Sequence, residues 1–417
     1  MATQTGYKAS ELGMIPQNWD VVELGDVFEV TAGGDLDVTN FSTEKTHKHI
    51  YPVYSNAITD NGLYGFSSNY DCCGNHITVT ARGYIGYAVP RNGKFSSIGR
   101  LLTLKPKTEI SCYLVAQYIN QFVSFAIEST GVPQLTAPQI KKYLVAIPKS
   151  TTEQTAIATA LSDTDALISS LQKLITKKKA IKLSAMQNLL SGKIRLPEFA
   201  KRPDGSSKTT RQTELGCVPE DWEMVELEKV AEIKSGGTPS TNRSEFWNGH
   251  ILWCTPTDIT SLSGKYLSDT NRKITEMGLN NSAAELLPIG SVLMTSRATI
   301  GECAIVKRPM TTNQGFKNFI CNRTVNNEFL YYLLSSQKDK FIELCNGSTF
   351  LEISTTQVRK FKITIPKSTT EQTAIAQLLS DMDAEIESLE CRLKKTQALK
   401  QGMMQTLLTG KIRLPLE

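Results

Sequence analysis

Two stretches of the chain carry apolar or near-apolar residues at alternating steps of four and three. The first runs through Ile157, Leu161, Thr164, Ile168, Leu171 and Ile175, the second through Ile375, Leu379, Met382, Ile386, Leu389 and Leu393. Such spacing lays one stripe along one face of a helix, and in heptads it is the seam of a coiled coil. Just ahead of each stripe stand Ser150-Thr-Thr-Glu153 and Ser368-Thr-Thr-Glu371, the S-x-x-E pattern of a capping box that satisfies free N–H groups at a helix start. Neither Pro nor Gly occurs from 149 to 191, and Gly192 is a natural stop. The pattern predicts two helices of roughly 40 residues, each on the order of 60 Å long. The first seam blurs beyond Lys177-Lys178-Lys179, and the second is expected to break at Gly402.

The rest of the chain has a shorter rhythm. Apolar runs at 77–80, 87–89, 101–104 and 292–294, bounded by Gly, Pro, Asn and Ser, predict strands, and 115–127 and 329–341 predict short helices. The expected organisation is a mixed α/β domain over 1–149, a helix over 150–197, a second domain over 211–367 and a second helix over 368–417. Between the copies, EFAKRPDGSSKTT at 198–210 reads as a polar linker. Trp19 and Trp222, each near a proline, are expected to seal the two domain cores.

The two halves are copies of one unit. Glu11-Leu12-Gly13, Pro16, Trp19, Val22-Glu23-Leu24 and Gly33-Gly34 recur 203 residues later, from Glu214-Leu215-Gly216 to Gly236-Gly237. Thr80-Ala81-Arg82 with Ile85-Gly86 matches Thr295-Ser296-Arg297 with Ile300-Gly301 at an offset of 215. IPKSTTEQTAIA at 147–158 returns letter for letter at 365–376, and GKIRLP at 192–197 returns at 410–415, both offset by 218. The offset grows only inside the globular parts. The helical framework is rigidly matched while the domain interiors diverge, as in two copies of a domain-plus-helix unit.

Charge predicts how the helices pair. Asp163 and Asp165 precede Lys173, Lys177, Lys178, Lys179 and Lys182 in the first. Asp381, Asp383, Glu385, Glu387 and Glu390 precede Arg392, Lys394, Lys395 and Lys400 in the second. This order suits each helix's own dipole, and it also favours antiparallel pairing, which sets acid against base and would put the two domains at opposite ends. The formal charge of +5 permits a nucleic-acid partner without demanding one. Nine scattered cysteines form no disulfide framework, and no apolar run reaches membrane-spanning length or resembles a signal peptide, so a cytoplasmic protein with no membrane partner is expected.

The order of domain, long helix ending in GKIRLP, second domain and second helix resembles the specificity subunit of type I restriction-modification systems. So do Gly-Gly-Thr-Pro-Ser at 236–240, Trp247-Asn248-Gly249 with Trp253, Thr295-Ser296-Arg297, and Asn313-Gln314-Gly315-Phe316-Lys317. The first domain departs from the pattern, with Gly33-Gly34-Asp35-Leu36-Asp37 in place of the Gly-Gly-Thr-Pro-Ser loop. The resemblance implies an α/β fold: two mixed α/β target-recognition domains separated by two long antiparallel coiled-coil helices, in a pseudo-two-fold tandem repeat. It implies that each domain reads one half of a bipartite, asymmetric site in double-stranded DNA. The helices would act as spacer and as docking surface for two modification subunits. It further implies that this chain is not an enzyme and holds no cofactor. S-adenosylmethionine, ATP and Mg would act on the partner modification and restriction subunits.

Candidate DNA contacts follow from where cations and polar groups fall. Arg82 and Arg297 occupy equivalent places, so a shared phosphate contact is favoured over base reading; a structural arginine paired to a carboxylate is the competing reading. Base reading needs residues where the copies differ, such as Ser55, Asn56 and Arg100 against Thr255, Asp258 and Lys317. Lys141 and Lys142, with Arg359 and Lys360 in the second copy, flank the strand into each helix and could touch backbone phosphates. No N/D-P-P-aromatic methyltransferase site or phosphate-binding loop is present. Glu220, Asp221 and Glu223 face Gln17, Asn18 and Asp20 in the other copy and read as variable surface rather than a nuclease site. The alternative function is a coiled-coil adaptor whose two domains bind protein.

Overall fold

The computed structural model describes residues 6–126, 133–345 and 351–415. It divides into two compact units, one formed by Met1–Gln172 with Arg392–Glu417, the other by Lys173–Cys391. Each unit therefore holds one globular domain, the early part of the helix that follows it and the late part of the helix from the other copy.

In the first unit, a hairpin (Tyr7–Ser10 with Gly13–Pro16) leads into Trp19–Glu23, which pairs antiparallel with Leu144–Pro148. Trp19 lies opposite Pro148, at the exit from the domain into the long helix. The core sheet has the antiparallel order Ala88–Arg91, His76–Val79, Leu102–Pro106, Phe28–Ala32. His76–Val79 is buried at every position because strands flank it on both sides and helix α1 (Cys112–Phe122) packs on it, whereas Phe28–Ala32 at the edge is largely alternating. A second, five-stranded sheet is built around Tyr51–Tyr54 and Leu63–Ser67, with Lys94–Ser97 parallel to the former.

The second unit repeats the framework. Trp222–Glu226 pairs with Lys362–Pro366, again with the tryptophan opposite a proline. Ala231–Ser235, Phe316–Cys321, Val292–Thr295 and Cys303–Val306 follow one another in the same order as the core strands of the first domain, with Tyr266–Leu267 added in parallel at the edge. A separate three-stranded sheet centres on Trp247–Cys254. The expected strands are all present to within two residues. The expected helix at 329–341 is two helices, Asn327–Ser336 and Lys338–Glu343, divided at Gln337. The one expected at 115–127 begins earlier, at Cys112, and stops at Phe122; Ile127 is outside the described residues. Both tryptophans are sealed in, Trp19 at 1% exposure and Trp222 at 0%.

The long helices are α2, Thr151–Leu189, and α4, Thr369–Leu407, with α3 denoting Asn327–Ser336. Within each unit they run antiparallel, and the charge order accounts for the pairing. In the first unit Lys400 meets Asp165 at 2.7 Å; in the second Lys178 meets Glu385 at 2.6 Å, Lys179 meets Glu390 at 2.7 Å, and Lys182 meets Asp383.

The seam differs from expectation in detail. Ile157 and Leu161, like Ile375 and Leu379, are buried in the core of their own domain as much as against the partner helix. Each such side chain contributes about 1.5–3 kcal/mol by leaving water. Leu171, Ile175 and Ile386 are buried, but Ile168, Leu389 and Leu393 remain half-buried. Gly402 does not interrupt α4; it is exposed and helical. The blurred region beyond Lys179 is where lysines take over from apolar residues to reach the facing acids.

Three other expectations are corrected. The capping boxes are incomplete: Ser150 Oγ accepts from Glu153 N at 3.4 Å, but the Glu153 and Glu371 carboxylates turn away to arginines. Residues 198–210 are not a free linker. They begin in a short helix (Pro197–Ala200), close a turn through a Lys201–Ser207 bridge, and are tied down by Arg202 to Glu220 and by Lys208 to Asp221. Glu220 and Asp221 are thus ion-pair partners rather than variable surface. Among the described residues, no helix is long and apolar enough to cross a membrane.

Candidate nucleic-acid interface

In the first domain three of the candidates meet at the end of the core sheet. Asn56 accepts from Ala81 N at 2.7 Å through Oδ1 and donates to Gly99 O at 2.5 Å through Nδ2. It thereby holds the residues beside Arg82 and Arg100 together. Arg100 is exposed and left-handed (φ 69°), a conformation costly for a side chain bearing a Cβ. Arg82 is exposed, bridges to Gln134, and donates to its Oε1 at 3.0 Å, a neutral amide partner. Ser55 donates its backbone N–H to Gly62 O at 2.8 Å. Lys141 and Lys142 are exposed at the end of the short helix Ala137–Lys141.

The second domain places its candidates differently. Arg297 forms the equivalent bridge, to Glu352, and there its Nε meets a carboxylate oxygen at 2.9 Å, the arrangement of a structural arginine. Lys317 is buried; burial pushes its ammonium below the ordinary range, and Nζ donates to Ser235 Oγ at 3.2 Å. Arg359 reaches Ile233 O, on the same strand as Ser235, so Arg297, Lys317 and Arg359 gather near one sheet end, while Lys360 stays exposed nearby. Thr255 and Asp258 cap one another at the start of Pro256–Thr260. Asp258 Oδ2 accepts from Thr255 N and Oγ1, and Oδ1 from Asn271 N and Nδ2. Their polar atoms are engaged within the domain.

The family described as type I restriction modification DNA specificity domain matches residues 16–182 and 219–397, one match per repeat. The chain belongs to this family. Over 180 residues it is 38% identical to the type I restriction enzyme MjaIX specificity subunit of Methanocaldococcus jannaschii, a match covering 43% of this chain and 41% of that protein. It is 27% identical to the putative MjaX specificity subunit of the same organism, over 99% of this chain and 97% of that one. The crystal structure of a type I restriction-modification S subunit from M. genitalium shares the fold, with a TM-score of 0.63 at 14% identity over 98% of each chain.

The parts that this specificity-family chain repeats most faithfully are clamps that join the two repeats. In the second unit Arg195, from the first GKIRLP, forks onto Glu371, from the second TTEQ, with both contacts at 2.7 Å. A second fork goes to Asp221 at 2.8 and 3.1 Å. In the first unit the exchange is reciprocal: Arg413 holds Glu153 at 2.5 and 2.7 Å, and Glu153 also accepts from Trp19 Nε1 at 3.2 Å. The helix-ending glycines complete the exchange. A β-carbon on Gly410 would lie 2.4 Å from Pro16 Cγ, and one on Gly192 2.6 Å from Pro219 Cδ. Sequence reading missed these pairs, although the letter-perfect return of TTEQ and GKIRLP was their signal.

One consequence is a pH dependence. Burial works against ionising Asp221, but Arg195 and Lys208 hold its carboxyl down to about 2 from its ordinary 3.8. Because the folded value is the lower one, this stabilisation is complete above about pH 4 and is lost as pH falls through about 2. Solvent screening at this partly exposed group limits it to roughly 1–2 kcal/mol. Urea titrations should show Asp221→Asn less stable than the parent at pH 6, with the difference closing between pH 4 and pH 2. A difference independent of pH would contradict the assignment.

Proposed function

We propose that this chain is the DNA-specificity subunit of a cytoplasmic type I restriction-modification complex. Each domain reads one half of a split asymmetric site in double-stranded DNA. The paired helices set the gap between the halves and dock two modification subunits, and restriction subunits join that assembly. Methyl transfer from S-adenosylmethionine, and cleavage driven by ATP with Mg, belong to those partners. The observation that carries this reading is the duplication itself: the anchors of the framework recur at fixed offsets and the starts and ends of the helices recur letter for letter, whereas the second sheet has five strands in one domain and three in the other. A constant mount with two different heads suits a reader of two different half-sites.

Within each head, the exposed Arg82 and Arg100, with Lys141 and Lys142, or Arg359 and Lys360 in the second, are the groups we assign to phosphate and base contact. Arg297 and Lys317 contribute by shaping the sheet end, since an ion pair and burial already engage them. Phosphate contacts position the protein, and base-edge contacts specify the sequence.

Replacing residues 211–367 by the corresponding domain of a relative, with Arg195 and Glu371 retained, should change one half of the methylated sequence and leave the other intact. Methylation-site sequencing of the assembled complex reads the outcome. Changes in both halves, or in neither, would overturn the division of labour. Salt-insensitive binding to protein alone, with no DNA preference, would favour an adaptor instead.

A further inference from the structure

Where each domain leans on the helix pair, one arrangement of three side chains occurs in both units. In the first, Tyr113 on α1 donates to Asp165 Oδ2 on α2 at 2.5 Å, and Lys400 on α4 meets Asp165 Oδ1 at 2.7 Å. In the second, Tyr332 on α3 donates to Asp383 Oδ2 on α4 at 2.7 Å, and Lys182 on α2 meets Asp383 Oδ1. The aspartate and lysine are repeat-equivalent, at the offset of 218. The tyrosines are not. Ser111 and Asn326, the N-caps of α1 and α3, each donate a backbone N–H to the equivalent glutamine, Ser111 to Gln154 at 2.9 Å and Asn326 to Gln372 at 2.8 Å. This fixes the register of the two domain helices at an offset of 215 and makes Tyr113 the counterpart of Glu328. Tyr332 stands four residues further, one helical turn on, at the place of Gln117.

The phenol has therefore been supplied twice from different positions to the same Asp–Lys pair. Inheritance from a common unit does not produce that coincidence, whereas a shared demand on the pair does. The position vacated in the second domain is put to related use: Glu328 takes Lys265 Nζ at 2.7 Å, and Lys265 reaches Ser380 Oγ, one turn before Asp383, at 2.5 Å. Burial first, and then the adjacent aspartate, push both phenols well above their ordinary range, so each stays a donor. Each triad is the point at which three elements meet: the domain's own helix, the long helix that follows it, and the antiparallel long helix from the other copy. A charge-assisted bond from each of the other two elements to one carboxylate removes the freedom of the domain to rock about the helix pair.

We propose that Tyr113–Asp165–Lys400 and Tyr332–Asp383–Lys182 are positioning elements that fix the angle of each recognition domain on the helix pair, and thereby the gap length at which both half-sites are read together. This rests on the reading of the chain as a specificity subunit. The triads act through the domains rather than on DNA, so they govern tolerance for the gap and not the half-site sequences.

The test uses the full chain, assembled with its modification subunits, on a DNA library that keeps both half-sites and varies the distance between them. Tyr113→Phe and Tyr332→Phe each delete one hydroxyl and keep the ring. The proportion of methylated sites with a gap one base pair from the parental length should rise roughly tenfold, the equivalent of one charged hydrogen bond, with both half-sites unchanged. Asp383→Asn, which keeps an acceptor for the phenol and drops the charge facing Lys182, should broaden the gap less, and it stands in if a phenylalanine variant fails to fold. Folded variants with the parental gap distribution would overturn the proposal and leave the triads as packing. A parental chain that directs methylation to no split site at all would instead overturn the reading of function, and the unsubstituted control shows that separately.

Discussion

Replacing Arg195 by alanine should lower the unfolding free energy of the unit formed by Lys173–Cys391 by about 3–5 kcal/mol, the usual result of stranding a buried charge. The Glu371 side chain is 3% exposed and that of Arg195 8%, so removing the guanidinium leaves a carboxylate in a site water does not reach. Although burial opposes the guanidinium's charge, Asp221 and Glu371 hold it above its ordinary value. The counterpart is built less tightly. Arg413 is 37% exposed, and without it Glu153 keeps the Trp19 indole as a donor while solvent enters from the vacated side. Arg413→Ala should accordingly cost only about 1–2 kcal/mol in the other unit. Trp222 shows the same asymmetry: among the described residues its Nε1 is buried with no partner, where Trp19 donates to Glu153. Tryptophan fluorescence during urea unfolding follows the second unit well, since Trp222, Trp247 and Trp253 lie there and only Trp19 lies in the first. Arg195→Lys should recover part of the loss, because lysine restores charge but not the fork. Equal costs at the two arginines would refute the difference in burial on which this rests.

The clamps also mark the boundary of what the sequence made legible. Helix existence is readable from the four-three stripe, in the first copy along some forty residues without Gly or Pro and in the second despite Gly402. Antiparallel pairing was readable from the positions of Asp165, Asp383, Lys182 and Lys400 along their helices. The strands of the common framework were readable from short apolar runs between turn residues. Two of the misreadings concern partners outside the segment itself. Glu153 and Glu371 have the local chemistry of capping residues, and only the fold brings Arg413 and Arg195 close enough to outcompete a backbone N–H. Residues 198–210 have the composition of a linker, yet Glu220 and Asp221 anchor them. Among the DNA candidates, Asp258 and Asn56 are polar and stand where the two copies diverge. Polarity does not distinguish a side chain that meets a base from one that ties a loop, and both tie loops here. Lys317 carries the same ambiguity: its position follows an exposed-looking Asn-Gln-Gly turn, but its strand is central and buried.

A fragment ending at Pro197 should form a two-fold dimer and, with its modification partners, methylate a palindrome of the first half-site. Removing everything after Pro197 deletes from the first unit the residues that Arg392–Glu417 supply: Gly410 against Pro16 and Trp19, Arg413 on Glu153, and Lys400 on Asp165. A second copy of the fragment carries replacements for all three at the repeat offset of 218, in Gly192, Arg195 and Lys182. Gly192 is already left-handed (φ 71°) and already seated against a proline beside a tryptophan, so it fits the Pro16 site without adjustment. Leu189 and Leu190 are likewise the repeat equivalents of Leu407 and Leu408, which close the first core, and pairing covers an apolar seam from Ile157 to Ile175 that water would otherwise meet. Each copy then completes the other, which is the isologous contact of a two-fold dimer. Identical heads reading one site demand a symmetric target. Light scattering should give a dimer, Arg195→Ala in the fragment should shift it toward monomer, and sequencing of methylated DNA should return the palindrome. A monomeric fragment, or a dimer that still directs methylation to the asymmetric parental site, would refute the exchange of helix ends as the basis of the repeat.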